Sequence, residues 1–369
     1  MKRNYIYTLA TAFAALALSS CLNEEVESTV ENAAEEAIQL SASVNAPSIT
    51  RATNDNIQPT SFDGSEEIRV ECTRDNSTAY GSSEFGFVSS IYVTAAADAG
   101  VNALTLKSGE TIQYWPAKGT VSFDAFYPSW VTHETAAFSV SIDQSYTGTA
   151  TTAVVAEPVA PVDPNDEEAA TAYATALAAY NTAETTRGYK GSDLMYATHI
   201  TGQSKTNDVI GLSFHHALSK IIINLNPGVG MLQADIDECT VEIHAKKSTA
   251  WTANNFATLT SSSATGSVVK IKAGVGDTNA AIIVPQVIDG SSTAQDFITV
   301  TTAHTPLNEA DALLHQKTYK LSTERTFEPG KVYTFTLTVN MDSIELQSAT
   351  ISNWTDGDNG HPTEGSIII

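Results

Sequence analysis

The chain has 369 residues and carries 19 Lys and Arg against 42 Asp and Glu, a formal net charge of -23. A chain this acidic repels phosphate backbones and anionic membrane surfaces, so it is no nucleic-acid binder, and any membrane attachment must come from something other than its charge. The length fits about two domains of ordinary size.

Lys2 and Arg3 form a positive start, and the stretch Thr8 to Leu18 is apolar. About 11 residues at roughly 1.5 Å each are too short to cross a bilayer, so this is a secretion signal rather than a membrane span. It ends in Leu18-Ser19-Ser20-Cys21, a small residue before a cysteine where the apolar run stops, which is the cut-and-acylate pattern of a bacterial lipobox. Cys21 is therefore the expected lipidation site, with each buried CH₂ contributing about 0.8 kcal/mol of membrane affinity. The alternative is an ordinary secretory signal with a chance cysteine. Leu22-Asn23-Glu24-Glu25 follows, with no Asp directly after the cysteine, and resembles the surface-export tether of lipoproteins in Bacteroidetes-type bacteria. The expected location is the outer membrane and cell surface, reached through lipid on Cys21. Removal of the signal leaves 17 basic against 42 acidic residues, near -25.

Residues 22–50 are rich in Glu, Ala and Ser and read as a tether, with a strand at its end where Ile38, Leu40, Ala42 and Val44 alternate. Beyond residue 52 the chain becomes strand-like. Alternation predicts strands at Ile68 to Cys72, Val121 to Tyr127 and Val241 to Ala245, and a β-branched run at Ile221 to Leu225 stops at Asn226-Pro227-Gly228. The clearest is Lys331 to Val339, with Tyr333, Phe335, Leu337 and Val339 on one face and Thr334, Thr336 and Thr338 on the other. That pattern predicts a half-buried antiparallel strand. Turn signals at Lys118-Gly119, Pro227-Gly228 and Pro329-Gly330 separate the runs, and many short strands so punctuated indicate an all-β sandwich class. One segment departs from this. Pro158, Pro161 and Pro164 precede Asn165, a predicted cap with Glu168 three residues on, and Tyr173, Leu177 and Tyr180 make one helical stripe up to about Ala183. It is either a surface helix packed on a sandwich edge or a partner-binding helix.

No catalytic set emerges. There is no Gly-x-Ser-x-Gly elbow and no phosphate-binding loop. His133-Glu134 lacks the second histidine of a metalloprotease helix, and His215-His216 point to opposite faces of a strand, so they cannot share a metal. Cys72 and Cys239 read as separate buried thiols, although an exported chain could pair them. Asp356-Gly357-Asp358-Asn359-Gly360 resembles a calcium loop but lacks the bidentate Glu at its end, so an ordinary turn is expected. Trp115 and Trp130 are expected in the core rather than as a sugar platform. The chain is expected to be no enzyme and to need no cofactor or metal.

Several segments together resemble the fimbrillin family, the subunits of type V pili in anaerobic Gram-negative bacteria. They are Ile49-Thr50-Arg51-Ala52, Tyr114-Trp115-Pro116 with Val121 to Pro128, Asp193 to Ala197, Leu212 to Lys220, Ile283 to Gln286, Phe327 to Tyr333, and Ile351 to Trp354, in order over more than 300 residues. The resemblance implies two tandem transthyretin-like Greek-key β-sandwiches. Their expected limits are 52–205, with the helical insert at about 165–183, and 206–369, behind a signal at 1–20 and a lipidated tether at 21–51. It also implies cleavage between Arg51 and Ala52, release of the strand within Ala37 to Val44, and head-to-tail assembly with other pilus subunits by strand exchange. Ile367, Ile368 and Ile369 are the candidate donor-strand residues. The alternative is a stand-alone surface lipoprotein that binds a host or glycan ligand without polymerising, Arg51 then being a loop residue.

Overall fold

A computed structural model describes residues 36–44, 62–74, 87–116, 118–163, 166–251, 259–274, 279–290, 295–304, 313–354 and 367–368. Most elements follow from period-2 alternation, which gives a strand one face to bury. The first are β1 (Leu40–Val44), β2 (Glu67–Arg74), β3 (Phe87–Thr94), β4 (Asn102–Leu106) and β5 (Val121–Tyr127). Then come β6 (Ala137–Ser139), the helix α1 (Glu167–Arg187), β7 (Met195–Ala197), β8 (Ile200–Gln203), β9 (Ile210–His216) and β10 (Ser219–Pro227). A short helix α2 (Gln233–Asp237) leads to β11 (Thr240–Ala250), β12 (Ala264–Lys272), β13 (Asn279–Ile283), β14 (Gln286–Ile288) and β15 (Ile298–His304). The remainder is β16 (Leu313–Tyr319), β17 (Arg325–Phe327), β18 (Lys331–Val339), β19 (Ile344–Asn353) and β20 (Ile367–Ile368).

The first half is one sheet closed on itself. Its strands run β2-β3-β4-β1-β9-β7-β5, β5 returns to pair with β2, and β8 continues along β5. Ile68, Val70, Phe123, Ala125, Leu212 and Phe214 fill its interior. The second half is a sandwich of β13-β10-β18-β19-β20 against β12-β11-β15-β16, with a two-stranded β14–β17 ribbon beside it. Its core joins Ile221, Ile223, Val241, Ile243, Phe297, Phe335 and Leu337. The architecture is thus mostly β, part sandwich and part barrel-like, as the sequence predicts at that level.

Two features bind the halves. The first is the run from β9 into β10, with only Ala217 and Leu218 between. Here His216 stacks on Trp354 at 4.0 Å and 6°, and its Nδ1 lies 2.8 Å from Asp193 Oδ1. Lys220 Nζ sits 5.9 Å from the Trp354 ring, within cation–π range. His215 points the other way, to Thr198 Oγ1 at 2.9 Å, as adjacent strand residues must. The second is a strap from the first half: β6 pairs with β11, and the Gln144 side chain bonds both N and O of Ile282 at 2.8 Å.

The helix α1 lies on this strap. Its cap is Asp166 rather than Asn165, which falls outside the described residues; Asp166 Oδ1 accepts the Ala169 N–H at 3.0 Å. The helix also runs past Ala183, because the stripe of Tyr173, Leu177 and Tyr180 continues as Glu184 and Arg187. These two form a buried 2.8 Å ion pair, and Glu184 accepts the Ile142 N–H at 2.7 Å. The stripe therefore packs inward, as a surface decoration does. Gly188 ends the helix, and Gly148, at φ 68, meets it so closely that a Cβ there would lie 2.1 Å from the Arg187 carbonyl oxygen.

Three expectations change. The Lys331–Val339 strand is antiparallel to β19 but parallel to β10, so it is central and Thr334 is buried along with the apolar face. The Ile221–Leu225 strand reaches Pro227, where β18 still pairs it through Val339. Cys72 is buried but Cys239 only half so, and the two form no disulfide. Trp115 is buried, and Trp130 stacks on Phe138 at 5.4 Å, which makes both core residues.

Lys190, just after α1, ties the strap to the first sheet through Asp63 Oδ2 at 2.7 Å and Glu66 Oε1 at 3.1 Å. Burial alone would raise the Glu66 carboxyl, but the Lys190 bond and charge and the Thr94 hydroxyl hold it below the usual glutamate range. A carboxyl lowered in the folded state stabilises above its unfolded value and loses that contribution as pH falls through the folded value. Glu66→Gln should therefore lower stability by about 1 kcal/mol at pH 7. The difference from wild type should shrink on acidification below the normal glutamate range, as measured by urea unfolding at a series of pH values.

Candidate functional site

The feature that distinguishes this chain is how β1 is held. It lies between β4, antiparallel, and β9, parallel, in the registers Ala42↔Asn102 and Ala42↔Leu212. The alternation that predicts it is observed: Ile38, Leu40, Ala42 and Val44 are buried, with Ala42 at 0% exposure. Just before it, Ala37 bridges Tyr114, Ile38 N donates to Gln113 O at 2.9 Å, and Trp115 N donates to Glu36 O at 3.0 Å. Lys205 Nζ pairs with Glu36 Oε2 at 3.0 Å. Beside β1 runs a groove of about 750 Å³ lined by Leu104, Leu106, Ile112 and Val209 among others. Ile112 and Val209 are 44% and 52% exposed, so apolar surface already reaches the solvent with β1 in place.

Magnitudes set how firmly β1 is held. Burying Ile38, Leu40 and Val44 contributes about 5–9 kcal/mol, and each backbone hydrogen bond to a neighbour roughly 1 kcal/mol. Ordering residues 36–44 costs about 1–2 kcal/mol each, on the order of 10 kcal/mol in all. The terms nearly cancel. A strand in such balance stays mainly because its chain connection keeps its effective concentration high. That connection is residues 45–61, which include Arg51 and Ala52 and lie outside the described residues, as do Cys21 and Ile369. If β1 left, the ring would open between β4 and β9, exposing two unpaired strand edges and an apolar slot.

At the other end of the chain, Ile367 and Ile368 pair antiparallel with Ile351 and Thr350 of β19. They are placed at the outer edge of the second sandwich, in the chain's own sheet. The slot and this edge strand lie in different halves, and the structure does not bring them together. Sequence reasoning found β1 and the terminal strand, but not the parallel β1–β9 pairing or the groove. Neither leaves a local signal, since both depend on strands about 170 residues apart.

Elsewhere, among the described residues, two carboxylates are paired with histidines. Glu71, raised by burial and partly lowered again by His133, bonds His133 Nδ1 at 2.8 Å, and Asp124 bonds His199 Nδ1 at 2.7 Å. Burial pushes the Cys239 thiol up to about 11. Among the described residues no group of three or more His, Cys, Asp or Glu side chains is arranged to hold a metal ion. The sequence 356–360 lies outside the described residues.

An acidic side chain within β1 tests the slot. Ala42→Asp puts an unpaired carboxylate at a fully buried position and should expel the strand. Amide hydrogen exchange should speed up in β4 and β9 while β10 and β18 keep their protection. Unchanged protection in β4 and β9 would mean that β1 does not hold the ring closed.

Residues 50–354 match the model of the family described as fimbrillin-like. Over 175 residues the chain is 28% identical to the "Putative fimbrium subunit Fim1C" of Bacteroides uniformis, a match covering 47% of this chain and 55% of that protein, so it spans about half of its relative's length. The fold is similar to that of a "putative cell adhesion protein" from Bacteroides uniformis, with a TM-score of 0.53, 17% identity, and 86% of this chain and 98% of that one covered. A second protein so described, from Bacteroides ovatus, gives a TM-score of 0.50 at 14% identity over 88% of this chain and 100% of that one. The family match leaves out β1 and β20. It takes in most of the chain, and this protein belongs to the fimbrillin-like family.

Proposed function

We propose that the chain is a structural subunit of a cell-surface pilus that supports adhesion, exported as a lipoprotein on Cys21 and assembled by proteolysis-triggered strand exchange. In this reading its two parts, with expected limits 52–205 and 206–369, are tandem transthyretin-like Greek-key sandwiches, β9 crossing that limit to pair in the first sheet and the strap and helix of the first part lying over the second. The observation that carries the proposal is the seat of β1. It is a short strand near energetic balance, between two strands that cannot pair with each other while it is there, and joined to the rest through a segment containing Arg51. Cutting after Arg51 removes the connection, lets β1 leave with its lipid, and frees a slot for the strand of another subunit. Backbone hydrogen bonds would give that strand affinity and alternate side chains would give it register. Head-to-tail addition without closure builds a filament. Membership in the fimbrillin-like family and the relative named as a fimbrium subunit support the reading.

One observation favours the alternative, a stand-alone surface lipoprotein with a host or glycan ligand. The donor candidates Ile367 and Ile368 are paired within their own sheet, so they must detach from β19 before another subunit can take them. A two-armed experiment separates the readings. Treatment of the purified chain with a trypsin-like protease should give a new N-terminus at Ala52 and a ladder of oligomers on mild-detergent gels. A chain lacking residues 361–369 should be cut at the same bond and remain monomeric. Clean cleavage without assembly in the full chain, or resistance of the bond, would favour the stand-alone lipoprotein.

The anchor is tested separately. Cys21→Ala removes the only side chain able to carry a thioether lipid at that point. Metabolic labelling with an alkyne fatty acid should mark the wild type and not the variant, and equal labelling would sink the lipoprotein assignment.

A further inference from the structure

The outward face of the β12-β11-β15-β16 sheet carries charge opposite to that of the chain. Directly opposed residues of antiparallel strands share a face. The registers Glu242↔Lys272, His244↔Lys270 and Lys246↔Val268 therefore set Lys246, Lys270, Lys272 and His244 together on one side. The other side, with Ile243, Ala245 and Ile271, is fully buried. Continuing across, Glu242↔Thr299↔Thr318 and Thr240↔Thr301↔Gln316 extend the outward face with hydroxyl and amide side chains.

Lys270 keeps a side chain 48% exposed while paired to Glu242 at 3.2 Å. Lys246 and Lys272 make no ion pair with a described residue. Lys320, at the end of β16, pairs with Asp296 at 3.6 Å, and His244 Nε2 bonds Thr299 Oγ1 at 2.8 Å. Four lysines and one histidine thus stand against Glu242, Asp296 and Asp143, the last bridging Lys272 in register from the strap, on a molecule whose net charge is -23. Successive outward residues on a strand are about 7 Å apart and strands about 4.8 Å apart, so the lysines form a short flat array rather than a scatter.

The chemistry of the face decides what fits it. Protein partners anchor through aromatic and large apolar side chains and their contact centres are poor in Lys. Here Val268 is the large apolar side chain exposed on the array, flanked by Lys, Thr and Gln. A flat surface of cations and hydroxyls instead suits a polymer that presents both anions and hydroxyls. We infer that this face binds an anionic polysaccharide, whose carboxylates or sulfates sit on Lys246, Lys270 and Lys272 and whose hydroxyls meet Thr301, Gln316 and Thr318. The net charge of -23 disfavours the polymer elsewhere on the chain, so binding is expected at this sheet. The inference does not depend on assembly and holds for a monomer.

The test uses the full chain in affinity electrophoresis through gels containing heparin as the sulfated probe, polygalacturonate as the carboxylated probe and dextran as the neutral one. At least one polyanion should retard the chain and dextran should not, and retardation should fall about tenfold between roughly 50 and 200 mM salt as counterions compete. The two charged probes identify the preferred anion. Lys246→Gln with Lys272→Gln removes two charges that make no ion pair with a described residue and should weaken binding about tenfold, with an unchanged melting temperature. Lys107→Gln with Lys118→Gln makes the same charge change on the first half and should leave binding intact. Equal weakening by both pairs would reduce the effect to net charge and overturn the proposal. So would retention by dextran, or failure of both polyanions to bind at low salt. Loss of self-association in sedimentation with polysaccharide binding intact would assign the face to a second copy of the chain and likewise overturn it.

Discussion

The backbone of a five-residue strand closes the first sheet, and most of what this chain can do follows from that. Every buried N–H and C=O needs a partner, and on the edges that β4 and β9 turn toward each other that partner is β1. The strand is both necessary and weakly held. Three large apolar side chains and two rows of hydrogen bonds nearly balance the entropy of ordering nine residues.

The second half is built to stay. The β10–β18 pairing runs nine residues in parallel register, and β18 is paired on its other edge by β19 over its whole length. The junction adds the His216–Trp354 stack under Lys220, and the strap adds a buried Glu184–Arg187 pair in which Arg187 also donates to the Ser139 carbonyl and Glu184 accepts the Ile142 N–H. A buried ion pair adds little net stability, but breaking one is costly, so it fixes the geometry of the strap more than it strengthens the fold. These contacts are made without β1. The lysine array faces outward from that same half, in the β12-β11-β15-β16 sheet.

Much of this was legible in the residues. The alternation of Ile38, Leu40, Ala42 and Val44 showed the buried face of β1, and the Tyr333 to Val339 alternation showed that of β18. The opposite directions of His215 and His216 followed from strand geometry. The helix was legible as a stripe, yet its end was not, because Glu184 and Arg187 read as solvent residues until the strap supplies partners for them. The parallel neighbours of β1 and β18 were equally hidden, since a strand's sequence states which face is apolar and not which way its neighbour runs.

The sequence by itself determined the strongly alternating strands, the presence of one helix, the mostly β class and the family, because side-chain period, turn residues and short motifs are local and each acts within a few positions. It also placed Cys21, Arg51 and the terminal isoleucines in order along the chain. Only the tertiary structure decided that β1 sits between β4 and β9, that the first sheet closes through β2 and β5, and that three lysines from two strands share a face. The physical reason is that each of these is a register between distant segments. Register is fixed by the best joint solution for buried area and backbone pairing, which no single segment carries.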